Sequence, residues 1–120
     1  MITDLLWQRV KNTLFISKEQ FLAALDGWAI DPIYVGGDLA FATLTKGPEF
    51  HFDSFGTKHS IPMRVIRARL QDIIGRYGYA MTRTPKDDAK QQRINKMFGC
   101  VVTGEDEYDL HYRIERLPCR

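Results

Sequence analysis

The chain has 120 residues, of which 44% are hydrophobic and 27% charged, with a formal net charge of +2. One core suffices for that length, and the balance excludes disordered and collagen-like chains. The longest apolar stretch, residues 39–44, falls far short of the about 20 residues of a membrane-spanning helix, so no membrane partner is expected.

Asp4 stands where the basic start of a secretion signal would be. Cys100 and Cys119 form no CxxC or other metal spacing, and no disulfide between them is expected. A reducing, cytoplasmic compartment follows. The charge is uneven. Residues 1–57 carry four basic and seven acidic side chains, residues 58–98 ten against three, and residues 99–120 three against five, giving balances of −3, +7 and −2. A middle segment this basic is either a solvated helix face or a surface for phosphate, nucleic acid or an acidic protein.

In chain order, Leu6, Trp7, Val10 and Leu14 share one face of a predicted helix over residues 3–14. A second helix starts at Ser17, an N-cap with Gln20 completing a capping box, and its stripe of Phe21, Leu25 and Trp28 runs toward Asp31-Pro32. The period then shortens. Residues 33–35, 39–45 and 49–55 read as strands of an antiparallel meander, joined at Gly36-Gly37-Asp38 and Lys46-Gly47-Pro48. In the third strand Phe50, Phe52 and Phe55 compete for the buried face while His51 and Asp53 share the other.

Helical spacing returns with Met63, Ile66, Leu70, Ile73/Ile74 and Tyr77, and Gly78 ends that helix. Residues 79–84 read as a strand. Thr84-Pro85 is expected to open another helix whose inward face is Ala89, Arg93, Ile94, Met97 and Phe98, with Asn95 outside it and Gly99 as the stop. Residues 100–103, taken as a central strand that buries Cys100, and residues 108–116 form a closing hairpin in which His111 points outward.

The resulting order, α-α-β-β-β-α-β-α-β-β, together with the helix ending Arg93-Ile94-Asn95-Lys96-Met97-Phe98-Gly99-Cys100, resembles the GNAT (GCN5-related N-acetyltransferase) fold family over roughly residues 29–117. The resemblance implies a single α+β domain over residues 1–120. Two N-terminal helices (1–28) precede a mixed sheet core (29–117) made of a meander, a helix, a parallel strand, a helix and a closing hairpin. The chain is also similar to the small GNAT-like proteins of tailed bacteriophages, some of which are virion or head-assembly components, so the host cytoplasm or a virion is the expected location.

Active members of that family bind acetyl-CoA, holding the coenzyme A pyrophosphate on backbone N–H groups of a glycine-rich loop before a helix. At the matching place this chain has Gly56-Thr57-Lys58-His59-Ser60-Ile61-Pro62-Met63, with one glycine and a proline that removes a donor. Lys58, His59, Ser60, as a cap, and Arg64 are the candidate coenzyme-binding residues. The family's general-acid tyrosine falls at Asn95, whose amide cannot protonate a thiolate leaving group. His51 or Asp53, in the strand that would deliver a general base, are the candidate catalytic residues; the competing reading is the solvent side of an amphipathic strand. No metal site is expected from the three histidines.

The sequence therefore points to a GNAT-like protein with a degenerate coenzyme site and a role in assembly or interaction with a protein partner. An active acetyl-CoA-dependent N-acetyltransferase is the alternative. A second alternative is weak, non-specific nucleic-acid contact through residues 58–98, with Arg64, Arg67 and Arg93 on one surface and no base-reading motif.

Overall fold

The computed structural model describes residues 2–11, 16–55 and 59–118. The chain is mixed α+β. In order it forms α1 (Ile2–Val10), α2 (Lys18–Ala24), β1 (Ala29–Val35), β2 (Asp38–Lys46), β3 (Glu49–Ser54), α3 (Met63–Tyr77), β4 (Ala80–Pro85), α4 (Ala89–Met97), β5 (Val101–Glu105) and β6 (Asp109–Ile114). The strands make a six-stranded mixed sheet in the order β1-β2-β3-β4-β6-β5. Antiparallel pairs join β1 to β2, β4 to β6 and β5 to β6, and β3 pairs with β4 in parallel at Glu49↔Met81. Two compact units result, residues 1–46 with 52–60 and residues 47–51 with 61–120.

In the first unit the Ser17 hydroxyl accepts from the Gln20 N–H at 3.1 Å and the Gln20 side chain accepts from the Ser17 N–H at 2.8 Å, the expected capping box. The helix is shorter than its apolar stripe suggests. It ends at Ala24, Gly27 takes a left-handed φ of +82°, and the chain is already extended at Ala29. Pro32 therefore sits inside β1, which lies at a sheet edge, the place in a sheet where proline is tolerated. Val35 and Asp38 pair directly across Gly36 and Gly37, whose φ values of 60° and 86° are those a two-residue hairpin of the primed type requires.

Residues 40–44 of β2 are all buried, which means that both faces of this strand are covered. Ala42 and Leu44 pack with Leu6 of α1 and Phe21 of α2, and Trp7, Trp28 and Phe55 close the cluster. Phe41 packs with Ile33 and Ala40 and stacks on Phe52 at 5.3 Å. The described part of α1 ends at Val10; the expected turn through Leu14 lies outside the described residues.

In the second unit α3 buries Ile66, Leu70 and Ile73 and ends as predicted on Gly78 at a φ of +84°. The next helix departs from expectation. Thr84 and Pro85 finish β4, and α4 begins at Ala89, capped by the Asp88 carboxylate accepting from the Gln91 N–H at 3.0 Å. Its buried residues are Ile94, Asn95 and Phe98, while Met97 is 59% exposed. The buried stripe is rotated from the apolar one because Asn95 finds hydrogen-bond partners inside. The helix closes in a Schellman motif: the Gly99 N–H donates to Lys96 O and the Cys100 N–H to Asn95 O, both at 3.0 Å, with Gly99 at a φ of +89°. Cys100 is buried, and burial pushes its thiol up to about 11, but the strand it leads into is an edge rather than central.

Candidate functional site

Alternation along β3 turns Phe50 inward, at 6% exposed, and puts Glu49 and His51 together on the opposite face. His51 Nε2 lies 2.6 Å from Glu49 Oε2. The parallel register sets Glu49 beside Met81, so Arg83, two residues further along β4, reaches the same oxygen at 3.4 Å. The hydrogen bond to His51, followed by the charges of His51 and Arg83, holds the Glu49 carboxyl below its usual range against the opposing effect of burial. A histidine oriented by a carboxylate is an arrangement suited to proton transfer. Asp53 follows on the same strand, half-buried.

Of the candidate coenzyme-binding residues, His59 and Ser60 belong to the first unit and Arg64 to the second. Lys58 lies outside the described residues. In the first unit His59 Nε2 is shielded from solvent and makes no hydrogen bond among the described residues, its contact with Asp38 Oδ2 being 3.6 Å. Ser60 is exposed and does not cap α3: the N-cap position belongs to Pro62, with no side-chain hydrogen bond to the helix start. Arg64, in the second unit, is exposed on the first turn of α3.

Part of the basic middle segment is engaged within the chain. The Arg67 guanidinium donates to the Pro118 carbonyl at 3.1 Å, Arg76 pairs with Asp72 at 3.3 Å, Arg83 with Glu49, and Lys86 with Glu105 at 3.0 Å. Arg64 and Arg93 are exposed, and Arg67, half-buried, is hydrogen-bonded to the C-terminal segment.

Asn95 is 2% exposed; its Nδ2 donates to Thr84 Oγ1 at 2.8 Å and its Oδ1 accepts from Gln91 Nε2 at 3.0 Å. In the hairpin turn, Asp106 accepts from the N–H groups of Tyr108 and Asp109 and meets His111 Nε2 at 2.8 Å, contacts that lower its pKa. His111 is thus half-buried and paired, not simply outward. Among the described residues no three His, Cys, Asp or Glu side chains converge as metal ligands would, and no helix is long and apolar enough to cross a membrane.

Sequence reasoning missed Arg83 as a member of the Glu49–His51 group. The two-residue spacing of Glu49 and His51 on a strand was a usable signal for their pairing; Arg83 is brought in by the parallel register alone. No protein-family model, curated protein or solved structure matches this chain.

Proposed function

We propose that the protein is a GNAT-like domain with a degenerate coenzyme site that works by binding other macromolecules, in the manner of a phage-encoded assembly protein, rather than by acetyl transfer. The strand order β1-β2-β3-β4-β6-β5 with its parallel β3–β4 pair supports the GNAT-like part. The observation that carries the loss of catalysis is Asn95. At the place where the family's general acid would stand, its amide is buried and committed to Thr84 and Gln91, so it neither ionises nor faces a substrate. The uncapped start of α3 behind Pro62 is consistent with a weak anion site.

Calorimetric titration with acetyl-CoA and with coenzyme A, paired with thermal melting, tests this. A native-state ligand raises the melting temperature in proportion to ln(1 + [L]/Kd). The expected outcome is no heat and no shift at millimolar ligand. Saturable binding would overturn the degenerate-site reading.

One observation favours the acetyltransferase alternative. The 2.6 Å contact between His51 and Glu49 is the arrangement of an oriented general base. If acetyl-CoA binds, His51→Ala should abolish acetyl transfer to an amine while leaving coenzyme binding intact.

A further inference from the structure

The two edges of the sheet are built differently. At one, β1 carries Asp31, Pro32 and a register shift between Ile33 and Tyr34. A charge, a missing donor and a bulge are the usual devices that keep an edge strand from pairing with another chain. At the other edge β5, Val-Val-Thr-Gly-Glu, also shifts register, between Val102 and Gly104, and ends on Glu105, but it has no proline and no lysine, and all five of its residues are exposed. Val101 and Val102 are 61% and 55% exposed, and Met97 and Tyr108, just before and after the strand, 59% and 72%. Among the described residues no strand pairs with the outer side of β5.

Charge is distributed along this edge in a self-complementary way. The turn that follows β5 holds Glu105, Asp106, Glu107 and Asp109, of which Lys86 and His111 pair with Glu105 and Asp106. The opposite end, where α4 leads into β5 and β6 finishes, holds Lys96, Arg113 and Arg116 against Glu115. Two copies laid side by side antiparallel would bring the acidic turn of each to the basic end of the other, whereas a parallel arrangement would face like with like. We propose that β5 is a homodimerisation edge: a second copy of this chain adds its own β5 antiparallel about a two-fold axis near Val102.

Such an interface is isologous, so each favourable contact occurs twice. Main-chain hydrogen bonds supply the pairing, and Val101, Val102 and Met97 supply apolar cover. It is also small. A five-residue strand, shortened further by the bulge between Val102 and Gly104, buries well under the about 1,200 Å² of stable interfaces. The dimer is therefore expected to form in the micromolar range or above and to weaken as salt screens the charged ends.

Sedimentation equilibrium of the full chain, from micromolar to millimolar protein and at low and high salt, reads this directly. A monomer–dimer equilibrium that shifts toward monomer with salt is expected; a monomer at all concentrations overturns the proposal. Val102→Lys, with its fold checked by circular dichroism, should weaken association at least about tenfold, and a folded variant that dimerises like the parent overturns it. Charge exchange guards against a variant that fails to fold. Glu107→Lys alone and Lys96→Glu alone should each weaken the dimer, and the double variant should recover it; failure of that recovery in two well-folded single variants overturns the antiparallel arrangement. None of these readouts depends on coenzyme binding.

Discussion

Asn95 and Thr84, eleven residues apart, are joined by a 2.8 Å hydrogen bond in which both side chains are almost wholly buried, at 2% and 1% exposed. The bond ties α4 to β4. Removing one partner strands the other away from water, which costs about 1–3 kcal/mol. Asn95→Ala should therefore destabilise by about 2 kcal/mol in a denaturant melt, although the sequence pattern places Asn95 outside the helix stripe and predicts a silent change. A double-mutant cycle with Thr84→Val should return a coupling of about 0.5–3 kcal/mol; additivity would show that the bond contributes nothing specific.

Phe98 and Met97 are neighbours at the end of α4 with opposite fates, 2% and 59% exposed. Phe98→Ala should cost about 3–5 kcal/mol through the cavity it leaves. Met97→Ala should stay within about 0.5 kcal/mol, as substitutions at exposed sites do. Chemical denaturation of the two variants beside the parent distinguishes them.

Gly99 and Gly78 both end helices at left-handed φ, +89° and +84°. A Cβ at Gly78 meets nothing within 4 Å, whereas one at Gly99 would lie 2.8 Å from Pro118 Cγ and 3.0 Å from its Cδ. Gly78→Ala should lose about 1 kcal/mol from backbone strain alone. Gly99→Ala should lose more, because the Pro118 ring must also move. Equal losses in thermal melts would mean that the Pro118 contact is easily relieved.

The Glu49 carboxyl, lowered chiefly by its hydrogen bond to His51, links stability to pH. A depressed folded-state pKa means that the native state holds the ionised form more strongly than the unfolded chain does. Its stabilisation is complete above the ordinary glutamate range of about 4.3 and is lost as pH falls through the lower folded value. Glu49→Gln should flatten the acid limb of the stability profile below the ordinary glutamate value of about 4.3. A limb unchanged by the substitution would assign the acid sensitivity to other carboxylates.

In the hairpin turn, Asp106→Ala should speed amide hydrogen exchange at Tyr108 and Asp109, whose N–H groups its carboxylate accepts at 2.9 Å and 2.8 Å. Exchange rates matching the parent would show that the turn holds without this cap.

The sequence by itself determined the elements whose signals are local. The Ser17–Gln20 capping box, the Gly36-Gly37 hairpin, the Gly78 and Gly99 helix ends and the order of ten elements are all legible because turn and cap chemistry acts over four residues or fewer. It also marked His51 and Asp53 as sharing one side of a strand, opposite Phe50. What the tertiary structure decided is where long-range partners override the local pattern. The apolar stripe turned Met97 inward, but the Thr84 hydroxyl makes Asn95 the residue worth burying. The start of α4 moved from Thr84 to Asp88 because Thr84 and Pro85 are taken into the ladder with β6. Arg83 joined Glu49 through a parallel pairing across 34 residues of chain, and the Arg67 guanidinium found the Pro118 carbonyl, 51 residues away. Propensity and periodicity carry no information on which distant strand lies alongside, and that adjacency sets whether a polar side chain has a partner inside or must remain in water.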